Sequence, residues 1–208
     1  MKDEDIRLDP TALLSPVPVA MVSCRDMDSG KTNIITLAWI GVACSEPPTI
    51  SAAISPKRHS YEIIRASGEF VVNLVDKGMA ESCDYCGVRS GRDVDKFQAC
   101  GLEPIPAEGM IYAPAIAQSP LSLSCRVVRI VEIGSHDLFL GEVVGIRTAS
   151  RLMDESGRLR LDQADLVAFN HGEYFSLGNC LGFFGFSVAR PKVLSRRMPG
   201  LKREKHFD

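Results

Sequence analysis

VAMVSCRDMDSGKTNIITLAWIGVACSEPPTISAAIS, residues 19–55, contains three apolar, β-rich runs separated by two turn signals. The first run covers 19–24, and the polar residues after it predict a hairpin turn before the second run begins at Ile34. Glu46-Pro47-Pro48 interrupts the second run, since proline has no backbone donor, and a third strand follows at 49–55. This order predicts three consecutive strands in a meander.

The remainder of the chain alternates long β-type runs with short helical segments. Ser60 is expected to cap the first helix, and Gly68 is expected to end it. Many short strands with few helices and Gly/Pro-rich turns predict a mainly β fold, a closed or partly closed antiparallel barrel with a few short peripheral helices. The further expected elements are a helix at 60–67, a strand at 69–75, a helix at 79–86 and long strands at 121–133 and 138–146.

Composition favours a single globular domain covering residues 1–208. Hydrophobic residues make up 45% of the chain and charged residues 24%, so neither disorder nor a membrane protein is indicated. The longest apolar run, 34–44, is far shorter than the roughly 20 residues that span a bilayer. A formal net charge of −2 gives no general attraction for nucleic acid, so small-molecule partners are expected instead.

The acidic N-terminus and the cysteines bear on cellular location, and the basic C-terminus bears on partners. Asp3, Glu4, Asp5 and Asp9 lie where a secretory signal would carry basic and apolar residues, so export is not expected. Seven cysteines, an odd number, fit reduced thiols better than a disulfide framework, which favours the cytoplasm. The basic tail, 190–208, is interpreted as solvated or packed on a partner rather than as a nucleic-acid arm.

Four blocks of sequence resemble, in the same order, the flavin reductase-like family, whose fold is the FMN-binding split barrel. They cover about residues 15–190, and the last one is most similar to the flavoredoxin branch. The blocks are 16–75, CGVRSGRDVDKF at 86–97, SPLSLSCRVVRIVEIGSHDLFLGEVVGI at 119–146 and FNHGEYFSLGNCLGFFGFSV at 169–188.

The resemblance implies a Greek-key antiparallel barrel that works as a homodimer, with FMN near the subunit interface. It further implies an FMN-dependent oxidoreductase that takes electrons from NAD(P)H. The sequence has no GxGxxG after a strand, so NAD(P)H is expected as a transient substrate rather than a resident cofactor. The acceptor could be a flavin, ferric iron or a redox protein.

In the family, the block around NIITLAW lines the isoalloxazine ring. Asn33 and Thr36 are expected to supply hydrogen bonds, directly or through their backbone, and Trp39 an aromatic surface. Their spacing of three does not keep them on one face of a regular strand, so a bulge or a strand end is needed. The alternative is that Trp39 is an ordinary core residue and Asn33 a turn residue.

The segment SPKRHSYE at 55–62 offers phosphate chemistry at a predicted helix N-terminus. Unpaired amides and the helix dipole favour an anion there, Ser60 can donate a hydroxyl hydrogen, and Arg58 can bind bidentately. The resemblance places the ribityl phosphate at Ser60 and Arg58. The alternative is an ordinary helix start with a solvated basic loop.

The loop SGRDVDKF contributes Ser90 and Lys96 to the expected flavin site. We expect Lys96 on an exposed loop, where its cation stabilises the negative charge that grows on flavin reduction. A change to alanine would then weaken FMN retention more than folding. The alternative is that Lys96 pairs with Asp93 or Asp95 on the surface.

Two further residues are assigned by the resemblance alone. His136 lies in the turn of the predicted long hairpin, at a point where the family places a polar residue near the flavin. Phe169 lies in the block similar to the C-terminal cover of the flavin, and it could pack on the ring from the opposing subunit.

Other readings of the sequence stay open. The chain could bind FMN without turnover, as a store, sensor or electron carrier. Cys83 and Cys86 form a CxxC, which could be a redox pair or half a zinc site, although no thioredoxin-type pattern surrounds it and a structural or incidental role is favoured. No second cysteine pair or Cys/His pair has zinc spacing, so no metal site is predicted.

Overall fold

Antiparallel strands are the commonest regular elements of the structure, a computed structural model that describes residues 5–199. The chain divides into two compact units at Leu177 and Gly178. Within the described part, no helix is both long and apolar enough to cross a membrane. The expectation of a single domain over 1–208 stays a prediction.

Among residues 5–199, the first unit contains all the strands and three of the α-helices. The strands are β1 (Val17–Pro18), β2 (Ala20–Arg25), β3 (Thr32–Leu37), β4 (Ile40–Ser45), β5 (Pro48–Ile54), β6 (Glu69–Leu74), β7 (Pro104–Ile105), β8 (Ala115–Ile116), β9 (Leu121–Glu132), β10 (Asp137–Thr148), β11 (Val167–Asn170) and β12 (Glu173–Ser176). The helices are α1 (His59–Ser67), α2 (Ala80–Val88) and α3 (Lys96–Ala99), with short 3₁₀ turns at Lys77–Met79, Ser150–Leu152 and Leu161–Gln163.

The seven-stranded main sheet closes on itself as a barrel. Its strand order is β3-β2-β6-β9-β10-β5-β4, with every neighbouring pair antiparallel. β3 and β4 lie at opposite ends of that order, yet only Ala38 and Trp39 separate them in the chain. The two edges must therefore meet at this point, and the backbone N–H of Ala53 in β5 donates to the Trp39 carbonyl at 2.9 Å. The predicted mainly β antiparallel barrel is confirmed.

The predicted meander is wrong. The run that begins at Ile34 is broken at Ala38 and Trp39 into two strands that do not pair with each other. β3 pairs with β2, and β4 pairs with β5. The break is also the strand end that the spacing of Asn33, Thr36 and Trp39 required.

β2 and β3 are buried on both faces, which explains why their sequence is apolar almost throughout. Val22 and Ile35 belong to the cluster inside the barrel, together with Phe70 and Phe139. On the other face, Met21, Ile34 and their neighbours pack with α2 and α3 in a second cluster. Successive side chains in a strand point to opposite faces, so α2 is held against the outside of the barrel beside β3.

α1 begins and ends almost where the sequence predicts, but it is capped differently. Gly68 ends the helix in the left-handed conformation, with φ at 67°. The N-cap position is Arg58, and no side chain caps it. Ser60 lies inside the first turn and is buried, so the expectation that Ser60 caps the helix is wrong. Its hydroxyl is bonded to a barrel strand instead, as described below.

A separate three-stranded sheet, in the order β1-β11-β12, carries Phe169. The Phe169 ring meets the Tyr174 ring edge-on at 5.3 Å and packs against the cluster outside the barrel. In the second unit, helix α4 spans Pro191–Arg197 and the Arg197 guanidinium lies 4.1 Å from the Phe183 ring centre. Of the predicted basic tail, residues 200–208 lie outside the described range.

One buried hydrogen bond ties α1 to the long hairpin of β9 and β10. The Tyr61 hydroxyl donates to Asp137 Oδ2 at 2.5 Å, and this bond is the first cause of a raised Tyr61 pKa. Tyr61 also meets Phe139 edge-on at 5.2 Å. Since Arg58 precedes Tyr61 and His136 precedes Asp137, the bond fixes two candidate site segments relative to each other.

We expect Tyr61→Phe to lower the free energy of unfolding by about 1–3 kcal/mol, because a buried carboxylate loses its hydroxyl donor while the ring contact stays. Urea unfolding measures the change. Tyr112→Phe, which leaves Asp137 untouched, is the matched control and should change stability by less than about 0.5 kcal/mol. Equal stabilities for the two variants would contradict the role given to this bond.

Candidate functional site

Two adjoining pockets lie where the barrel edges meet. The first, here called the aromatic pocket, has a volume of about 170 Å³, and the second, here called the basic pocket, has about 230 Å³. Both are lined by Ile35 and Arg58, so they share a wall. All of their lining residues belong to the first unit.

The aromatic pocket is lined by Trp39 and His136, whose ring centres are 4.9 Å apart with the planes tilted by 58°. Trp39 is half exposed, so the alternative that it is an ordinary core residue is wrong. The strand break at Ala38 and Trp39 turns the indole out of the barrel, and the β9–β10 turn brings the imidazole beside it. Together they offer a surface on which a planar ring can stack.

The basic pocket is strongly cationic. Its lining includes six side chains that are cationic or can become so, and none of the described residues lining it is Asp or Glu. Burial, followed by the nearby Arg92 charge, lowers the pKa of His59. Serine hydroxyls and the loop backbone complete the wall. The six side chains are Lys57, Arg58, His59, Arg89, Arg92 and Lys96.

Asn33 joins three parts of the site. It is buried in β3, so it is not a turn residue, and its Nδ2 donates to Ser60 Oγ at 2.8 Å. The loop backbone at Gly91 comes so close that a Cβ there would collide with the Asn33 amide. Only glycine therefore fits at this position without displacing Asn33. Ser90, the neighbouring residue, accepts the Arg92 N–H at 3.2 Å.

Lys96 is buried, not exposed, which corrects the expectation of an exposed loop lysine. Its Nζ donates a hydrogen bond to the Ile34 carbonyl at 2.6 Å and another to the Cys86 carbonyl at 2.7 Å. Burial lowers its pKa. The surface pairing with Asp93 or Asp95 is also wrong, since Lys96 is only 3% exposed. An ammonium has three donors, so these bonds leave one for a ligand in the pocket.

The Thr36 side chain is also occupied by a hydrogen bond within the protein. Its hydroxyl donates to the Cys83 carbonyl in α2, so its own backbone is the part best placed to serve a ligand. Burial raises the pKa of the Cys83 thiol to about 12 and raises that of Cys86 also. Protonated, buried thiols react slowly with reagents that arrive from solvent, so the interpretation of Cys83 and Cys86 as a CxxC that reacts with a substrate is not favoured.

A larger cleft of about 780 Å³ adjoins the basic pocket through Asn33 and Arg92. Asp26, Asp93 and Asp95 contribute to its wall, which makes it a poorer place for a phosphate than the smaller pocket. The phosphate site is therefore identified by the charge of the residues that line a cavity and not by the size of the cavity.

The paired pockets fit FMN chemically. A phosphate dianion matches the uniformly cationic pocket, and a planar heterocycle matches the surface of Trp39 and His136. The buried polar groups between them, on Asn33, Ser60 and Lys96, suit a polar connecting chain and ring edge.

A family model described as "Flavin reductase like domain" matches residues 13–178, most of the chain. The chain belongs to the flavin reductase-like family. The resemblance identified from sequence is thereby confirmed, and so is the split-barrel fold.

Individual members of this family support the assignment. A solved structure, the flavoredoxin of Desulfovibrio vulgaris (Miyazaki F), is 28% identical, covers 86% of this chain and 97% of its own, and has a TM-score of 0.80. "FMN reductase (NADH) RutF" of Pseudomonas syringae pv. syringae is 29% identical over 68% of this chain and 87% of its own. A protein of Aeropyrum pernix without an assigned activity is 33% identical over 63% of this chain. The match spans half of that relative's length.

The structure brings together eight of the nine predicted site residues around the two pockets, in their walls or bonded to them. They are Asn33, Thr36, Trp39, Arg58, Ser60, Ser90, Lys96 and His136. Phe169 does not line either pocket in this chain, because β11 belongs to the other sheet. Its proposed contact from an opposing subunit stays a prediction.

Sequence reasoning missed the contribution of Arg89 to the basic pocket, whereas Lys57, His59 and Arg92 lay in the predicted segments without being selected as site residues. His59 stands between two residues that were chosen, and Arg89 precedes the chosen loop by one residue. The run of cations without acids from Lys57 to His59 was the available signal. Arg89 had none, because its position depends on where α2 ends.

We expect Lys96→Met to lower the free energy of unfolding by about 1–3 kcal/mol, because the Ile34 and Cys86 carbonyls lose a buried donor. FMN retention should fall as well. Urea unfolding with and without added FMN measures both effects.

Lys77→Met is the control, since Lys77 pairs with Asp165 at 3.7 Å on the surface, where a salt bridge contributes under about 1 kcal/mol. A Lys96→Met protein as stable as the Lys77→Met protein would refute the structural role of the ammonium group.

Proposed function

We propose that this protein is an FMN-dependent oxidoreductase that passes electrons from NAD(P)H to a second acceptor. The observation that carries the proposal is the pairing of two pockets that share Arg58 and Ile35: one in which every lining Lys, Arg, Asp or Glu is basic, and one that is aromatic. The likeness to RutF, whose name specifies FMN and NADH, supports the choice of cofactor and donor.

The basic pocket binds the phosphate. Arg58 lies at the N-cap of α1 and contributes to both pockets, so its guanidinium can hold the phosphate while its stem borders the ring. Ser60 accepts a hydrogen bond from Asn33, and its hydroxyl hydrogen, which faces the buried Cys24 thiol, can turn to a ligand. Ser90 adds a second hydroxyl from the opposite wall.

The aromatic pocket orients the ring. Trp39 and His136 provide a surface, and the Asn33 side chain with the Thr36 backbone provides polar contacts at the ring edge. Lys96 holds a positive charge in a buried setting, where it stabilises negative charge more strongly than it could in water.

When bound, FMN supplies two-electron chemistry, taking a hydride equivalent from a reduced nicotinamide and releasing electrons to an acceptor. A ring stacked on Trp39 keeps its opposite face open to a donor or acceptor, because Trp39 is half exposed and the pocket therefore lies at the surface. A free flavin, ferric iron or a redox protein are the acceptor classes that such an open site can serve.

A second candidate, an FMN-binding electron carrier without nicotinamide turnover, is supported by the likeness to a flavoredoxin. It uses the same pockets and differs only in the electron donor. A protein that binds FMN and is reduced by a partner but not by NADH or NADPH would identify it.

We further propose a homodimer in the cytoplasm. Exposed apolar side chains at the barrel closure support the dimer: Trp39 is 50% exposed and Val42 in the edge strand β4 is 79% exposed. The cytoplasmic location is supported by the seven cysteines, all of which are free thiols. Light scattering on the purified protein measures the oligomeric state.

The visible absorption spectrum, recorded anaerobically before and after NADH and NADPH, tests the function. We expect a flavin spectrum that bleaches with one of the two donors. A flavin spectrum that bleaches with neither supports the carrier. A protein that stays colourless after FMN is added and the excess removed contradicts both.

Arg58→Gln should weaken FMN binding by about tenfold or more, because one charge-assisted contact to phosphate is lost. Trp39 is the single tryptophan of the chain and lines the pocket, so quenching of its fluorescence reports binding directly. Arg129→Gln, on an exposed position of β9, removes the same charge away from both pockets and is the control. The same affinity in both variants would remove Arg58 from the site.

A further inference from the structure

Cys86 has a sulfur neighbour outside the CxxC pattern. Its Sγ lies 3.9 Å from Sγ of Cys100, which is 14 positions further along the chain. Cys86 is in the last turn of α2, and Cys100 directly follows α3. We propose that these two thiols form a peroxide-sensitive pair whose disulfide closes the loop that carries the basic-pocket residues.

The geometry requires little movement. A disulfide has its sulfurs about 2 Å apart, so each sulfur must move by about 1 Å, within reach of a small side-chain rotation. The two elements are already joined, since Lys96 in α3 is bonded to the Cys86 carbonyl at 2.7 Å. The backbone N–H of Cys100 donates to the Lys96 carbonyl at 3.1 Å. The disulfide would reinforce a contact that exists in the reduced protein.

The two thiols differ in access, which sets the order of the chemistry. Cys86 is 1% exposed and its burial raises the thiol pKa, whereas Cys100 is half-buried and can meet a small oxidant. Hydrogen peroxide oxidises the Cys100 thiol to a sulfenic acid and is reduced to water. The Cys86 sulfur then displaces the hydroxyl group from the Cys100 sulfur. The displaced hydroxyl group takes the Cys86 thiol proton and leaves as a second water, so that the two sulfurs are joined in a disulfide.

The crosslink acts on the site through the enclosed segment. Residues 87–99 contain Ser90, Gly91, Arg92 and Lys96, and all four line the basic pocket. Tying both ends of this segment reduces its freedom to move away from β3, and a preorganised loop releases a ligand more slowly. The effect on flavin rests on the proposed function, whereas the formation of the disulfide does not.

Treating the full-length protein with hydrogen peroxide, with and without bound FMN, tests the pair. After alkylation of free thiols and proteolysis without reductant, peptide mass analysis should find Cys86 linked to Cys100, with the loss of two hydrogens. Trypsin cleavage after Arg89 and Arg92, both exposed, should slow by about threefold or more, and FMN should dissociate more slowly by a similar factor.

Cys100→Ser should abolish the linked peptide, the protection from trypsin and the change in FMN dissociation. Cys44→Ser, at an exposed cysteine away from the pair, should keep all three. Oxidation confined to other cysteines, or a linked pair with unchanged cleavage, would overturn the proposal. A linked, protease-protected loop in a protein that never binds FMN would support the disulfide and contradict the proposed function.

Discussion

The buried ammonium group of Lys96 is the interaction on which the site depends. Its bonds to the carbonyls of Ile34 and Cys86 connect α3 to a barrel strand and to the last turn of α2. A buried charge without such partners is costly, so the three elements cannot separate without exposing or stranding it. The loop between α2 and α3 is therefore fixed beside β3, and it brings the residues of one pocket wall with it.

The closure of the barrel supplies the other half of the site. Because β3 and β4 are the two edges of the sheet, the residues between them lie where the edges meet, and regular pairing is interrupted there. Trp39 is turned outward at this break, next to His136 in the hairpin turn of β9 and β10. Tyr61 and Asp137 hold that turn against α1, whose first turn faces the basic pocket. The meeting of the two sheet edges that closes the barrel therefore also positions the aromatic half of the site.

Local signals were enough to predict much of this arrangement. The apolar, β-rich runs, the prolines at 47 and 48 and the glycine after α1 located most of the elements to within a few residues. The cations at 57–59 before a helix start indicated a site for a phosphate, and the resemblance to a family implied the ring site at Trp39. The same signals could not separate β3 from β4, since a continuous apolar run does not reveal where pairing changes sides.

The errors concern contacts between distant residues. Lys96 and Ile34 are 62 positions apart, and no local pattern distinguishes a buried lysine bonded to carbonyls from an exposed one. Ser60 was expected to cap its own helix, whereas its hydroxyl pairs with Asn33, 27 positions earlier. Cys86 was paired with Cys83, its neighbour in sequence, although its sulfur lies 3.9 Å from that of Cys100. Each of these depends on how the barrel brings remote segments together.

A comparison of FMN with riboflavin by titration calorimetry on the flavin-free protein tests the central claim most directly. The two ligands share the ring and the ribityl chain and differ only in the phosphate. If the pocket lined by Arg58, Arg89 and Arg92 holds that phosphate, FMN should bind about 100-fold tighter or more, as the loss of several charge-assisted hydrogen bonds requires. Equal affinities for FMN and riboflavin would contradict the account.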